Sequence, residues 1–174
     1  LYHNKILLTQ KIKTEQTKEM KNYFKASSWD PLLKLITTAV TVFVIVFIFF
    51  NPKLITILVL GALVIIPSFF MIRGYSFDNQ KLIIHRLGWA KEIDLKTFKS
   101  AQINNKAMNN SWRLLGNGGL FGWLGTFSNK EQGIFRAYVT NRYRCVILEL
   151  DEKKIVVSPD SPNDFIARAR DLFQ

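Results

Sequence analysis

The sequence contains few of the residues that enzymes and metal sites most often use. Among its 174 residues there is one cysteine, Cys145, and two histidines, His3 and His85, which stand far apart. One cysteine cannot form an internal disulfide, and these three residues do not make a zinc site. No nucleophile elbow and no ordered Ser, His and Asp triad is present. We therefore expect no catalytic site, no metal and no other cofactor, and predict that the chain is not an enzyme.

Charge is also missing from two long segments. Residues 35–50 and residues 54–72 carry no charged side chain and are almost wholly apolar. If Lys34 extends to the interface, the first segment begins near Pro31. A helix rises about 1.5 Å per residue, so each segment reaches roughly 30 Å, the thickness of one hydrocarbon core. The pattern predicts a transmembrane helical hairpin over residues 31–72. The alternative is a pair of buried helices in a soluble protein.

The basic residues flank this predicted hairpin on both sides, within a net charge of +11. Residues 1–73 hold nine basic and three acidic side chains, and residues 74–174 hold fifteen basic and ten acidic ones. Beside an apolar hairpin, this excess favours an anionic membrane surface over nucleic acid. The turn between the two apolar segments carries only Lys53, so the positive-inside rule predicts that both termini are cytoplasmic.

Residues 1–30 are polar and rich in lysine, which predicts a basic cytoplasmic tail. Met20 would serve as a natural start, so we expect residues 1–19 to be an extension without a fixed fold. At the end of this tail, Ser28 or Asp30 can cap the first helix, because a proline follows at its first position.

Residues 73–174 show a different periodicity, with short runs rich in Ile, Val, Tyr and Phe between turn residues. The predicted strands are residues 74–78, 81–87, 91–95, 98–103, 125–127, 134–140, 145–150 and 154–157. A closing amphipathic segment from residue 158 to Phe173 predicts a helix. About seven antiparallel strands and one helix predict a small, mainly-β α+β domain. We expect a curved sheet or half-open barrel with the helix over one open end.

Residues 113–127 combine five glycines with three aromatic residues. Neither a P-loop nor a G-x-G-x-x-G spacing is present. The glycines either shape a bulged loop that enters a bent strand, or form a site for a peptide, lipid or protein partner. The candidate partner or ligand residues are Arg113, Gly118, Gly119, Phe121, Gly122 and Trp123. We expect strained backbone angles at Gly118 and Gly119. In an extended strand Phe121, Trp123 and Phe127 share one face, and we expect Phe127 in the core and at least one of the other two exposed.

A cluster of basic residues is predicted around a hairpin of the domain, formed by Lys130, Arg136, Arg142 and Arg144. It is either a solvated face or a surface that docks on anionic headgroups. Together with basic residues near the predicted spans, the candidates for contact with anionic lipid are Lys21, Lys25, Arg73, Lys130, Arg136, Arg142 and Arg144.

Several short motifs resemble the bacterial pleckstrin-homology-like (PH-like) membrane proteins. They are Lys25-Ala-Ser-Ser-Trp-Asp30, Arg113 with the run Gly118-Gly-Leu-Phe-Gly-Trp-Leu-Gly125, Tyr138-Val-Thr140, and Val157-Ser-Pro159 with Phe165-Ile166. The resemblance covers residues 24–173. It implies two membrane spans followed by a PH-like domain, in which a C-terminal helix caps two roughly orthogonal antiparallel sheets. It implies no particular activity, since the fold serves many uses. Because the first turn, at residues 78–80, is not basic, a phosphoinositide ligand is not expected.

These observations lead to two hypotheses. The first is a non-catalytic, membrane-anchored interaction module, an accessory subunit of a larger assembly in the bacterial cytoplasmic membrane. Its expected partners are membrane lipids and a protein, which a second copy of the chain could supply, and not nucleic acid. The alternative is a sensor or carrier that binds a small apolar ligand or lipid at the glycine-aromatic segment.

Overall fold

The computed structural model describes residues 22–173, so Lys21 and the extension expected over residues 1–19 lie outside the described part. Across residues 22–173 the chain forms ten strands and three helices. In chain order they are β1 (Tyr23–Lys25), α1 (Pro31–Phe50), α2 (Leu54–Ser68), β2 (Ile72–Asp78), β3 (Lys81–Arg86), β4 (Ala90–Asp94), β5 (Phe98–Ile103), β6 (Trp112–Gly118), β7 (Trp123–Asn129), β8 (Gly133–Val139), β9 (Val146–Leu150), β10 (Lys154–Val157) and α3 (Pro162–Phe173).

Helix α1 begins at Pro31 and is capped by Asp30, whose Oδ1 accepts a hydrogen bond from the Leu33 N–H at 2.9 Å. This confirms Asp30 as one of the two predicted caps. The twenty residues of α1 reach about 30 Å. Within residues 22–173, α1 is the helix whose length and composition suffice to cross a membrane. Most of its apolar side chains lie on the protein surface and not in a core.

Helix α2 follows after three residues and contacts α1, but it contains only fifteen residues, about 22 Å. The predicted end of the helical hairpin at Ile72 lies four residues beyond the end of the observed helix. The helix ends at Ser68, and the Phe69 and Phe70 N–H groups then form tight-turn bonds to Ile66 and Pro67. Ile72 is instead the first residue of β2, where it pairs with Arg86 and its side chain is buried.

Strands β1 to β4 form one antiparallel sheet in sequential order. Strand β1 precedes the two apolar helices and pairs with β2, which follows them, with Phe24 opposite Tyr75. The helices therefore emerge from between two neighbouring strands. The prediction that residues 23–30 belong to a tail is wrong, because they are fixed to the domain. For example, the Ser27 hydroxyl donates to the Pro159 carbonyl at 2.8 Å.

The other six strands form a second sheet in the order β5-β9-β10-β8-β7-β6. Strand β10 inserts between β8 and β9, so it runs parallel to β8 and antiparallel to β9. The expectation of antiparallel pairing throughout is therefore wrong at this one pair. Of the predicted strands, residues 98–103 and 154–157 have the observed bounds. The closing helix begins at Pro162, later than predicted.

The second sheet is covered on both faces. One face packs against the first sheet and α3, where Tyr75, Phe77 and Phe165 are buried together. The other face holds Phe127 and Phe135, under the loop that carries Ala107 and Met108. The predicted burial of Phe127 is confirmed. Two sheets with a C-terminal helix fit the PH-like fold that the resemblance implies.

Candidate interaction site at the helix end of the domain

Asp30 is the centre of a polar network where α1 leaves the domain. Its side chain is fully buried, and its two oxygens accept four hydrogen bonds. Oδ1 accepts from the Leu33 N–H, and Oδ2 accepts from Trp123 Nε1 at 3.1 Å and from both the backbone N and Nε of Arg142 at 3.2 Å. A carboxylate satisfied in this way joins the helix start, β7 and the β8–β9 loop at one point.

The turn between β6 and β7 docks on the second turn of α1. The Thr37 hydroxyl donates to the Gly119 carbonyl at 3.3 Å and accepts from the Phe121 N–H at 3.2 Å. Thr37 is buried beneath this turn, and the Phe121 ring packs edge-on against Trp29 at 6.0 Å. The glycine-aromatic segment is therefore a β-hairpin whose tip is attached to the first apolar helix.

The glycines of this hairpin have distinct roles. Gly119 has φ +105° at the tip, so the prediction of a backbone angle that a side chain would strain is confirmed there. The same prediction is wrong for Gly118, whose φ is not in the left-handed region and whose missing side chain leaves space for Arg113. A side chain at Gly122 would meet Leu124 at ordinary contact distance, so Gly122 is buried without a strict steric need.

The strictest requirement for glycine lies at a cross-strand pair that was not among the candidate site residues. Gly116 in β6 faces Gly125 in β7, with φ +112° and +134°. A Cβ at Gly125 would overlap the Leu115 carbonyl oxygen, and one at Gly116 would overlap the Leu124 carbonyl oxygen. The two backbones can approach this closely only because neither residue has a side chain.

The aromatic residues of the hairpin are held by this chain's own residues. Trp123 is half-buried, packs on the Phe127 side of the sheet and bonds to Asp30. Phe121 is also half-buried, and it stands in the turn with φ +60°, not in a strand. The predicted shared face is thus confirmed for Trp123 and Phe127 and wrong for Phe121. The prediction that Phe121 or Trp123 is exposed is also wrong, because the helix start covers both.

The predicted basic cluster is divided between two ends of the domain. Lys130 lies in the β7–β8 turn, whereas Arg142 and Arg144 lie in the loop after β8, near Asp30. The length of β7 separates these ends by about 20 Å. Arg136 stands between them and is exposed in β8. A single cluster of all four is therefore wrong. Lys25 and Arg73 are exposed at the paired ends of β1 and β2, below the helices.

Arg142 is the basic candidate most fully used inside the protein. Its guanidinium pairs with Asp30 and lies over the Trp123 ring, with Cζ 4.5 Å from the ring centroid. Arg144 pairs at the surface with Asp160 at 3.3 Å. Cys145 is buried beside this loop, and burial, with the Asp30 charge nearby, raises the pKa of its thiol to about 12. The thiol therefore stays protonated and unreactive at neutral pH.

Strand β6 forms an open edge of the second sheet, and its apolar side chains face outward. Trp112 is 80% exposed, Leu114 56% and Leu115 74%. Such an edge presents unpaired backbone groups beside an apolar surface, which is the arrangement that strand addition uses. Within residues 22–173, no group of three or more His, Cys, Asp or Glu side chains is placed to hold a metal ion.

Arg86 lies in a groove on the other side of the β6–β7 hairpin. The groove has a volume of about 400 Å³ and is bounded by the end of α2 and by strands β6 to β8. The Arg86 guanidinium lies between the Phe70 and Tyr138 rings, at 5.5 and 5.6 Å from their centroids. Its Nε is buried without a hydrogen-bond partner among the residues described. Burial lowers the pKa of Arg86 from its ordinary value.

Sequence reasoning treated three of these residues too simply. It assigned Asp30 only as a helix cap, and it gave Thr37 and Arg86 no part in a site. For Arg86 a signal was present, because alternation in β3 places it on the same face as Leu82 and Ile84, which are both buried. A cation on the inward face of a strand indicates a site, whereas the contacts of Asp30 with residues about a hundred positions later leave no local pattern.

Comparison with known families gives one match. The model of the family described as "Bacterial PH domain" matches residues 73–172, more than half of the chain. Neither the curated proteins nor the solved structures yield a significant match. The matched region begins in β2 and ends in α3, and so covers the two sheets and the closing helix that the structure shows, apart from β1. The chain therefore belongs to the bacterial PH domain family.

Proposed function

We propose that the chain is a non-catalytic, membrane-anchored interaction module, an accessory subunit of a larger assembly in the bacterial cytoplasmic membrane. In this proposal α1 and α2 cross the membrane as a hairpin, and the PH-like domain and both termini lie on the cytoplasmic side. The domain presents the β6 edge to a protein partner. The observation that carries the proposal is this open apolar edge on a domain fixed rigidly to two apolar helices.

The membrane anchor is supported by the surface of the helices. Phe43, Phe49, Leu54 and Ile55 are each 65% exposed or more, and a soluble protein would leave all this apolar area in water. Exposed apolar area is unfavourable by about 25 cal/mol per Å². The fifteen residues of α2 are short for one bilayer, and local thinning of the bilayer together with the apolar Phe69 can compensate for the difference.

Rigid attachment of the domain is supported by the bonds of Asp30 and Thr37. They fix the β6–β7 hairpin to α1, so in this proposal the orientation of β6 relative to the membrane follows from that of α1. These bonds also argue against the alternative of a ligand site at the glycine-aromatic turn, because its polar groups are already used within the chain.

Single cysteines test the membrane orientation in intact cells. We expect Asn51→Cys in the turn between the helices to react with an impermeant maleimide from outside, and Lys130→Cys in the β7–β8 turn to react only after the cells are opened. Cys145 does not compete, since it is buried. The orientation would be refuted if position 130 reacted in intact cells, or if neither position reacted in intact cells.

A photo-crosslinking amino acid at Leu115 tests the partner surface in native membranes. The matched control is Ile134, which is 66% exposed in β8 and stands away from the sheet edge. We expect one crosslinked product of fixed mass from position 115 and none from position 134. A product of twice the chain mass identifies a second copy as the partner. Equal or absent crosslinking at both positions would show that β6 is not a partner surface.

A further inference from the structure

The groove beside α2 combines one unpaired cation with apolar walls. Its polar wall is the Arg86 guanidinium, whose Nε is buried and has no acceptor within residues 22–173. A buried donor without a partner is costly unless a ligand or solvent supplies the acceptor. No acidic side chain among the described residues forms an ion pair with Arg86, so an anion could approach it without displacing a partner.

The remaining walls fit a hydrocarbon chain. Ile66 and Pro67 of α2 lie on one side, and Leu124 of β7 lies on the other. At the Gly116 and Gly125 pair the wall is bare backbone, since a side chain at either position would collide with the opposite strand. The groove is thus open and apolar along most of its length and cationic at one place.

The position of the groove agrees with this chemistry. Arg86 is opposite Ile72 in the sheet, and Ile72 follows the end of α2 by only four residues. If α2 ends at the membrane surface, as proposed above, the guanidinium lies at the depth of the lipid phosphates and the apolar walls extend toward the acyl chains.

We propose that this groove holds one anionic phospholipid, whose phosphate accepts hydrogen bonds from the Arg86 guanidinium and whose acyl chain lies against Ile66, Pro67 and Leu124. A guanidinium presents a planar set of donors that matches phosphate. The lipid, and not free phosphate, is the occupant, because Arg86 is the one cation among the lining residues and the Asn117 amide already donates within its own turn, which leaves an inorganic ion too few donors. The inference rests on the proposed membrane anchor only for the source of the lipid.

Native mass spectrometry of the full chain in a neutral detergent tests this site. Phosphatidylglycerol and phosphatidylcholine are titrated separately, and the fraction of chain with one bound lipid is measured. We expect tighter binding of phosphatidylglycerol by the unchanged protein. Arg86→Gln should weaken it by about tenfold to a hundredfold, the range expected for losing a charge-assisted hydrogen bond.

The matched control is Arg170→Gln. Arg170 is an exposed arginine of α3, outside the groove and not among the predicted lipid contacts, and its substitution removes the same charge. We expect it to leave the affinity nearly unchanged. Equal binding of the two lipids, or equal loss in both variants, would overturn the proposal. Displacement of the lipid by inorganic phosphate would show that the site takes the free ion, which also contradicts it.

A second variant keeps the test decisive if Arg86→Gln is poorly folded. Ile66→Trp fills the groove from the exposed face of α2 and leaves Arg86 in place. It should reduce phosphatidylglycerol binding while thermal unfolding stays unchanged, and unchanged binding would refute the location. Because binding is measured in detergent, failure here is separate from failure of the membrane orientation, which cysteine labelling reports.

Discussion

Two arginines lie against aromatic rings near the helix ends, and their surroundings differ in one respect. Arg142 lies over Trp123 and Tyr143 and pairs with the buried carboxylate of Asp30. Arg86 lies between Phe70 and Tyr138 without an acceptor for its Nε. The first arginine completes the architecture from within the chain. The second also lies against two aromatic rings but has no anion beside it, which is why we assign a ligand to it and none to the first.

The largest expected effect is at the paired site. Asp30→Ala removes the helix cap and the acceptor for Trp123, and leaves Arg142 without its partner. We expect a loss of about 3–5 kcal/mol in the free energy of unfolding in detergent, because the helix cap and the hydrogen bonds of Trp123 and Arg142 to a charged carboxylate are lost together. The control is Asp160→Ala, which breaks the exposed pair with Arg144 and should change stability by less than about 1 kcal/mol. Similar losses in both variants would show that Asp30 is not the centre of the network.

The glycine pair beside the Arg86 groove gives the next effect. Gly125→Ala forces a side chain into the Leu115 carbonyl at φ +134°, and we expect a loss of about 2–4 kcal/mol from backbone strain and overpacking. Gly133→Ala is the control, since φ is +69° there but no atom lies within 4 Å of the added carbon. It should cost only about 1 kcal/mol. Equal losses of stability in thermal unfolding would mean that Gly125 is required only by its positive φ, and not by the close approach of the Leu115 carbonyl.

Local patterns predicted much of this fold. Short runs between turn residues predicted the strands at residues 98–103 and 154–157, and Asp30 before a proline predicted the start of α1. Two features were not predicted. The insertion of β10 between β8 and β9 depends on pairings that local alternation does not encode. The end of α2 at Ser68 is set by the sheet that Ile72 enters, whereas hydropathy continues through it.

The residues of the candidate site could be predicted from composition, but their contacts within the fold could not. The glycine-aromatic segment was recognised as unusual, yet its partner is Thr37 of α1, more than eighty residues earlier in the chain. Side chains that meet across such a distance leave no periodicity. The same applies to the basic candidates, since Lys130 and Arg142 are close in sequence but lie at opposite ends of β8.

Replacing each arginine by methionine compares the two sites directly. Arg142→Met leaves the Asp30 carboxylate without its guanidinium, and we expect a loss of about 1–3 kcal/mol. Arg86→Met removes a buried donor that has no acceptor and keeps the apolar contacts with Phe70 and Tyr138, so stability should be unchanged or higher by up to about 1 kcal/mol in lipid-free detergent. A large loss of stability for Arg86→Met would indicate that Arg86 is already paired within the protein. The proposed difference between the two arginines would then be wrong.

The smallest effect concerns His85, the neighbour of Arg86 on the opposite face of β3. Its Nε2 is 2.7 Å from the Ser76 hydroxyl, its ring lies beside Tyr23 at 5.3 Å, and partial burial lowers its pKa. The unfolded chain therefore binds a proton more readily than the folded one as pH falls through about 6.5. Stability should be complete above this pH and fall below it, by only a few tenths of a kcal/mol because solvent screens the ring. Thermal unfolding between pH 5 and 8 measures the slope, and His85→Gln should flatten it. A slope of the opposite sign would mean that the folded protein stabilises the protonated ring, contrary to the effect of burial.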